Sequence, residues 1–381
     1  MRKNSGKLSV AFCYDDSLDK YDGVAQYVKI LGQWLNSNGH KVVYFVGETK
    51  MREWVGDPVF SMSKNKEVVF NRNYVTIPLP ASKEYINRVL AKHNIDILHV
   101  QMPYSPFMTG RIINRIKPQT AVVGTFHIYP AGFLASFGTR LLRQLCRRSL
   151  RRFSTVLAVS PAAADFAKKT FGIDAAVSSN VVELARFKTV DVKPQKNHIV
   201  FLGRLVKRKG CRELLMAFRL LRLRVPGVRL TIAGDGPQRR RLEKLVKRYK
   251  LGESVKFTGF VSEKDKPDLL ATADIACFPS LGGESFGVVL VEAMAAGAGV
   301  VVGGNNPGYA TVLSGRPKTL VDQRNISNLA RQLELFLTDR KLTQDVHAWQ
   351  QKLVQRYDVD LVGKQVVEVY RHARLLKLQE R

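Results

Sequence analysis

Short, continuously apolar runs alternate with amphipathic stretches almost from one end of the chain to the other, and the scheme occurs twice. In the first half the runs cover 8–13, 42–46, 95–100, 121–125 and 156–159, with helical patterns at 24–36, 83–93, 140–153 and 162–171. In the second half they cover 198–202, 229–233, 255–258, 275–278 and 300–302, with helical patterns at 211–225, 238–249, 285–296 and 326–338. A strand that is apolar on both faces must be covered on both, which a parallel sheet flanked by helices achieves. The expected fold class is therefore α/β: two doubly wound, Rossmann-like domains facing across a cleft, a division that suits 381 residues. The alternation lapses at 178–195, where Pro194 and polar residues interrupt it. This gives an N-terminal acceptor domain at 1–185, a C-terminal donor domain at 186–357, and a last helix within 358–381 that returns to the first domain. In open parallel sheets ligands bind beyond the carboxyl ends of the strands, so the chemistry is expected on loops that follow strands.

Other classes are narrowed by simple counts. No apolar segment approaches the ~20 residues of a spanning helix, and the longest candidate, 288–302, contains Glu292. The run at 8–13 is too short for a signal-peptide core. Cys13, Cys146, Cys211 and Cys277 form no Cys-x-x-Cys pair, which argues against a zinc site or disulfide framework and suits a reducing cytoplasm. Lys plus Arg number 61 against 32 Asp plus Glu, a net charge of +29. Such an excess attracts nucleic acid, an anionic membrane surface or phosphorylated substrates, and composition does not choose among them.

The densest chemical signal is Gly282-Gly283-Glu284-Ser285-Phe286-Gly287, which follows the run 275–278 and leads into a helix ending near Gly297. A glycine-rich turn at a helix N-terminus presents free N–H groups to an anion, and a diphosphate is the obvious occupant. Alone, Glu284 reads as a capping acid and Glu292 as a solvated helix residue. Glu292, however, sits within otherwise apolar 288–298. A buried carboxylate needs partners, and a ribose diol would supply two donors. A second signal, Gly203-Arg204-Leu205-Val206-Lys207-Arg208-Lys209-Gly210, follows the run 198–202. Cations at that place suit a diphosphate leaving group, with Lys207 and Arg208 read as a solvated face. Asp22-Gly23 opens the first helix, His127 follows the run 121–125, and Gly234-Asp235-Gly236-Pro237 is a strand-to-helix turn.

On these residues the chain resembles the retaining glycosyltransferases of family four, which have the GT-B fold, and more narrowly the phosphatidylinositol mannosyltransferases. The resemblance implies that Glu284 contacts the transferred sugar and Glu292 the donor ribose, and that Ser285, Phe286 and Gly287 hold phosphate. It also gives Arg204 and Lys209 the diphosphate, Gly23 an approach to the donor phosphate, and His127 a sugar contact near the reaction centre. Asp22 stands where the family usually has a first glycine, and Ser179-Asn180-Val181-Val182-Glu183 where relatives often have Asn-Gly-Val-Asp. The implied reaction carries mannose from GDP-mannose to the inositol of phosphatidylinositol by a front-face retaining mechanism. Its implied place is the cytoplasmic face of the cell membrane, with neither metal nor cofactor and the nucleotide sugar as co-substrate.

A UDP-sugar-dependent glucosyl- or N-acetylglucosaminyltransferase acting on another lipid or small molecule is the alternative within the class. A nucleic-acid-binding protein is the alternative outside it, although no helix-turn-helix, zinc or RNA-recognition signature is present, and no nucleic-acid partner is expected. A nicotinamide enzyme would need Gly-x-Gly-x-x-Gly after the first strand, where only Asp22-Gly23 stands. Nothing in the sequence sets the oligomeric state.

The stretch 140–153 sets Leu141, Leu142, Leu145, Leu150 and Phe153 against six arginines at helical spacing. The apolar stripe is expected to pack on the sheet, leaving Arg147, Arg148, Arg151 and Arg152 for an anionic membrane.

Overall fold

A computed structural model describes residues 6–20, 22–70, 73–128, 141–188 and 191–379. Contacts divide the chain into one unit of Met1–Val181 with Val359–Arg381, and a second of Val182–Asp358.

In the first unit the strands are β1 (Ser9–Tyr14), β2 (Lys41–Val46), β3 (Glu53–Trp54), β4 (Asp57–Ser61), β5 (Asn65–Phe70), β6 (Asn73–Pro78), β7 (Ile97–Met102), β8 (Ala121–Phe126), β9 (Phe153–Ala158) and β10 (Ala176–Val177). Eight of them form one sheet in the order β10-β9-β8-β7-β1-β2-β4-β3, parallel except for the β3–β4 pair, while β5 and β6 form a separate antiparallel hairpin. The five apolar runs are the strands β1, β2, β7, β8 and β9. Strand order reverses between β1 and β7, so the loops after these two strands lie side by side.

The first helix, Gly23–Ser37, presses so closely on β2 that a Cβ at Gly32 would lie 2.1 Å from the Tyr44 hydroxyl. The last helix, Val359–Gln379, buries Val359, Val362, Gly363, Val366, Val367, Tyr370 and Ala373, a stripe of helical period, in this unit. Trp34 Nε1 donates to Asp360 at 2.7 Å, and Arg374 pairs with Asp96 at 3.0 Å. The Tyr370 hydroxyl reaches His99 Nδ1 at 2.7 Å, and His99 Nε2 reaches Thr125 at 2.7 Å.

The second unit has β11 (Gln195–Leu202), β12 (Arg229–Ala233), β13 (Val255–Gly259), β14 (Ala273–Phe278), β15 (Val300–Gly304) and β16 (Leu320–Val321), in the order β13-β12-β11-β14-β15-β16 and all parallel. This is a doubly wound order with its reversal between β11 and β14. Fully buried Ile199, Leu214, Phe218, Ile232, Ile275 and Phe336 join strands and helices into one core. The helix Arg340–Val354 has no counterpart in the sequence reading. Its buried position Gln350 reads as surface, yet it accepts from Val301 N at 2.9 Å and donates to Val301 O at 2.7 Å on β15.

The basic stretch differs from expectation. Arg140 lies outside the described residues. Residues 141–145 are helical, Arg147–Leu150 form a further turn, and Phe153 already begins β9. Leu141 and Leu145 are exposed, at 58% and 59%. The positions turned inward are Cys146 and Ser149: the Ser149 hydroxyl meets that of Tyr104 at 2.9 Å, and the Cys146 thiol points at Tyr104 O. Arg152 donates to Lys117 O at 3.2 Å. Of the four arginines expected to face a membrane, Arg147, Arg148 and Arg151 are exposed and Arg152 is only partly so.

Candidate functional site

The two motif-bearing loops of the second unit follow β11 and β14, the strands on either side of the reversal. After β11 the backbone runs from Gly203 through a 3-10 turn, Lys207–Lys209, to Gly210 in the left-handed region at φ 72°. A Cβ at Gly210 would lie 1.9 Å from Pro279 O, so only glycine lets this loop lie against the one after β14. Arg208 O then accepts from Leu281 N at 2.7 Å, and the Ser280 hydroxyl lies 3.0 Å from it. The turn at Gly234 serves the same purpose from the other side, since a Cβ there would lie 2.1 Å from Gly203 O.

This junction holds Glu284. The residue is 9% exposed, and its carboxylate accepts from Arg208 Nη1 at 2.8 Å, Lys209 Nζ at 2.9 Å and the Ser280 hydroxyl at 2.7 Å. Burial pushes its pKa up, but Lys209, Arg208 and Ser280 outweigh burial and hold the carboxyl below its ordinary value. Glu284 is thus an ionised acceptor, fixed in direction, between two cations. The helix Pro307–Leu313 supports it from behind: a Cβ at Gly308 would lie 2.1 Å from Glu284 O, and Asn306 ties the helix start to Ser280 O at 3.2 Å.

The helix expected from residue 285 begins three residues later, as Val288–Ala295, because Gly287 takes a left-handed φ of 110° at its N-cap. No side chain caps this N-terminus, and in its first turn Leu290 N already donates to Gly287 O at 2.9 Å. Phe286 is buried with its ring edge-on to Tyr357, so its side chain anchors the turn and only its backbone is left for an anion. One turn into the helix, Glu292 pairs with Lys266 Nζ at 2.8 Å. Lys266 also meets Glu263 at 2.8 Å, and Glu263 meets Arg186 at 3.1 Å. Desolvation lowers the Lys266 pKa, and the two glutamates raise it by more.

Lys209 and Glu284 are therefore brought together as neighbours. Arg204 lies on the same loop but is exposed, with no side-chain partner among the described residues. Sequence reasoning placed Arg208 on a solvated face; it is instead a direct ligand of Glu284. Ser280, Gly308, Asn306 and Lys266 escaped that reading altogether. The one signal for any of them is Asn306-Pro307, an N-cap followed by proline at the helix start.

The first-unit candidates behave differently. Asp22 N-caps the first helix, accepting from Val24 N at 2.9 Å and Ala25 N at 3.0 Å, and the Tyr14 hydroxyl donates to it at 3.3 Å. The N–H groups that a diglycine would leave open to phosphate are thus occupied by a carboxylate, and a Cβ at Gly23 would meet nothing within 4 Å. His127 lies at the end of β8, 7% exposed, with Nε2 2.7 Å from Gln101 Oε1 and its ring edge-on to Tyr27. Burial pushes its pKa down to about 3. At neutral pH it is a neutral hydrogen-bonding group, not a cation. Beside β1, Asp15 accepts from Ser105 N and, at 2.6 Å, from the Thr109 hydroxyl; burial raises its pKa overall.

Two family models match the chain: Glycosyltransferase Family 4 over residues 21–186 and Glycosyl transferases group 1 over residues 184–352. It is similar to the phosphatidyl-myo-inositol mannosyltransferase of Mycolicibacterium smegmatis, 30% identical over 93% of this chain and 91% of that protein. It is also similar to the enzyme of the same name from Mycobacterium tuberculosis, 28% identical over 93% and 94%. Among solved structures, a glycosyltransferase from Rickettsia africae superposes with a TM-score of 0.75 at 16% identity over 96% of this chain and 98% of that one. Sucrose-phosphate synthase from Thermosynechococcus elongatus does so with a TM-score of 0.74 at 18% identity over 96% and 98%. These share the GT-B fold of two Rossmann-like domains. With both halves matched and a relative aligned along nearly its whole length, the chain belongs to the family-4, group-1 glycosyltransferases.

Proposed function

We propose that this glycosyltransferase is a retaining mannosyltransferase that carries mannose from GDP-mannose to the inositol of phosphatidylinositol, working without metal at the cytoplasmic membrane face. The observation that carries the reading is Glu284, held ionised between Lys209 and Arg208 beside an uncapped helix N-terminus. The names of the phosphatidyl-myo-inositol mannosyltransferases aligned along the chain support the sugar and the acceptor. No described helix is long and apolar enough to cross a membrane, so contact with a lipid acceptor would be made from the surface.

In this reading the bond from the sugar's anomeric carbon to the diphosphate breaks while the inositol oxygen bonds to that carbon on the same face. The inositol proton passes to a diphosphate oxygen of the departing GDP. Glu284 orients the sugar by accepting from its hydroxyls. Arg204, Lys209 and the amides of Ser285, Phe286 and Gly287 stabilise charge developing on the diphosphate. Glu292 binds the ribose and must share its oxygens with Lys266. His127, being neutral, contributes a hydrogen bond to the sugar. Asp22 repels a phosphate approaching the first helix, which leaves the diphosphate to the second unit and gives Gly23 a smaller part than the family pattern implies.

Glu292→Gln should raise the donor KM roughly tenfold, about 1.5 kcal/mol for a hydrogen bond to a charged group, with kcat nearly unchanged. A loss confined to kcat in steady-state kinetics would contradict the ribose role. The reading as a whole is tested with purified protein, phosphatidylinositol vesicles and GDP-mannose, UDP-glucose or UDP-N-acetylglucosamine, with products read by mass spectrometry. GDP-mannose alone should add a hexose to the lipid, equally well after exhaustive chelation. Transfer from a UDP-sugar would overturn the donor, and loss on chelation rescued by magnesium or manganese would overturn metal independence.

A further inference from the structure

The first unit carries a basic cavity that the donor chemistry does not use. It measures about 750 Å³ and lies between the stretch 143–151 and the end of the helix Pro161–Phe171. Arg143, Arg147 and Arg151, at steps of four residues, line one wall, and Lys169 lines the other. The wall is anchored from within, since the inward positions Cys146 and Ser149 are bonded to Tyr104. Arg143 reaches across to the helix end: Gly172 caps it at φ +65°, and a Cβ there would lie 2.8 Å from Nη2 of Arg143. The left-handed turn favours glycine here, and the guanidinium fills the space beside it. The carbonyl end of that helix accounts for one cation nearby, but not for three.

Among the described residues none of Arg143, Arg147 and Arg151 has an ion pair, whereas Lys169 is held by Asp165 at 2.7 Å. Like charges four residues apart repel each other, and no carboxylate among the described residues relieves these three arginines. Guanidinium groups converging on one cavity match the oxygens of a phosphate group. Arg148 lies on the same stretch, exposed and outside the cavity. Beside it the exposed Leu141 and Leu145 form an apolar strip.

We propose that this cavity is a binding site for a phosphate ester, separate from the donor site of the second unit, with Arg143, Arg147 and Arg151 as its ligands. The phosphate comes from a lipid headgroup or from a soluble ester. The apolar strip favours the first, and the site itself does not depend on which acceptor the transferase uses.

The test compares the full-length protein with the double variant Arg143→Gln/Arg147→Gln. A second double variant, Arg240→Gln/Arg241→Gln, removes the same charge at exposed positions of the second unit. Each is titrated with inorganic pyrophosphate in the presence of saturating GDP, and each is sedimented with phosphatidylcholine vesicles with or without phosphatidylinositol. The cavity variant should bind pyrophosphate, phosphatidylinositol vesicles or both at least tenfold more weakly, while the charge-matched variant stays within twofold of the wild type. Loss of vesicle binding assigns the phosphate to lipid; loss of pyrophosphate binding alone assigns it to a soluble ester. Equal losses in both variants, unchanged binding in the cavity variant, or no binding of either probe by the wild type would overturn the proposal. GDP affinity, measured in parallel, separates this result from any failure of the donor-site reading.

Discussion

Glu284→Gln is expected to lower kcat by about 100-fold, the scale found when one preorganised electrostatic group is removed from a reaction centre, while donor KM changes little. The amide preserves volume but accepts through one oxygen only and carries no charge. It can no longer serve Arg208, Lys209 and Ser280 together, so the sugar and both cations lose their fixed partner. A modest stability loss of about 1 kcal/mol should accompany it, because Arg208 is 40% exposed and solvent screens the unpaired charge. Steady-state kinetics beside a thermal melt separate the two effects. A variant that keeps wild-type kcat would remove Glu284 from the reaction centre, and one that fails to fold would show its role to be structural.

The second large effect is acid lability of the first unit. His99 and His127 are both pushed down to about 3, His99 by burial and then by the neighbouring His127, and His127 by burial. Their folded pKa lies below the unfolded value of about 6.5. The unfolded chain therefore binds protons that the folded chain refuses, and stability rises with pH across the window between the two values. The contribution is full above about pH 6.5 and is lost progressively as the pH falls towards 3. From pH 6.5 to 5.5 the pair should cost about 2 kcal/mol, opposed by Asp15 and Asp57, whose pKa values burial raises. His40, His93 and His198 are also lowered by burial and add to the slope. Attribution therefore rests on His127→Gln, which keeps a partner for Gln101 and should remove about half of the pair's effect. Denaturant melts at the two pH values measure it, and a stability that is flat across the window would contradict the buried, neutral state of both rings.

The parallel sheets were legible because their strands are apolar on both faces, and the two loops after β11 and β14 because glycine, acid and base stand there at positions that only a turn beyond a strand explains. What the sequence hides is pairing at a distance. Lys266 stands 26 residues before Glu292, and Arg208 stands 76 before Glu284. Each reads as a solvated charge until the sheet order makes them neighbours. Small or polar buried residues mislead in the same way. Gln350 breaks the pattern of its helix by bonding an inner strand, and Cys146 and Ser149 take the inward places that Leu141 and Leu145 were expected to fill. The strands β3, β4, β5 and β6 are lost because they are short or mix polar with apolar residues at the sheet edge or outside it. Beside Gly23 the family pattern suggests open amides, whereas Asp22 accepts from Val24 N and Ala25 N.

The central claim is that the reversal between β11 and β14 holds the donor diphosphate. Calorimetric titration of GDP into the wild type and into Arg204→Met/Lys209→Met tests it most directly. One GDP should bind per wild-type chain, and the double variant, short of two charge-assisted contacts of about 1.5 kcal/mol each, should bind it roughly 100-fold more weakly. Undiminished GDP binding by that variant, with its fold intact, would contradict the account.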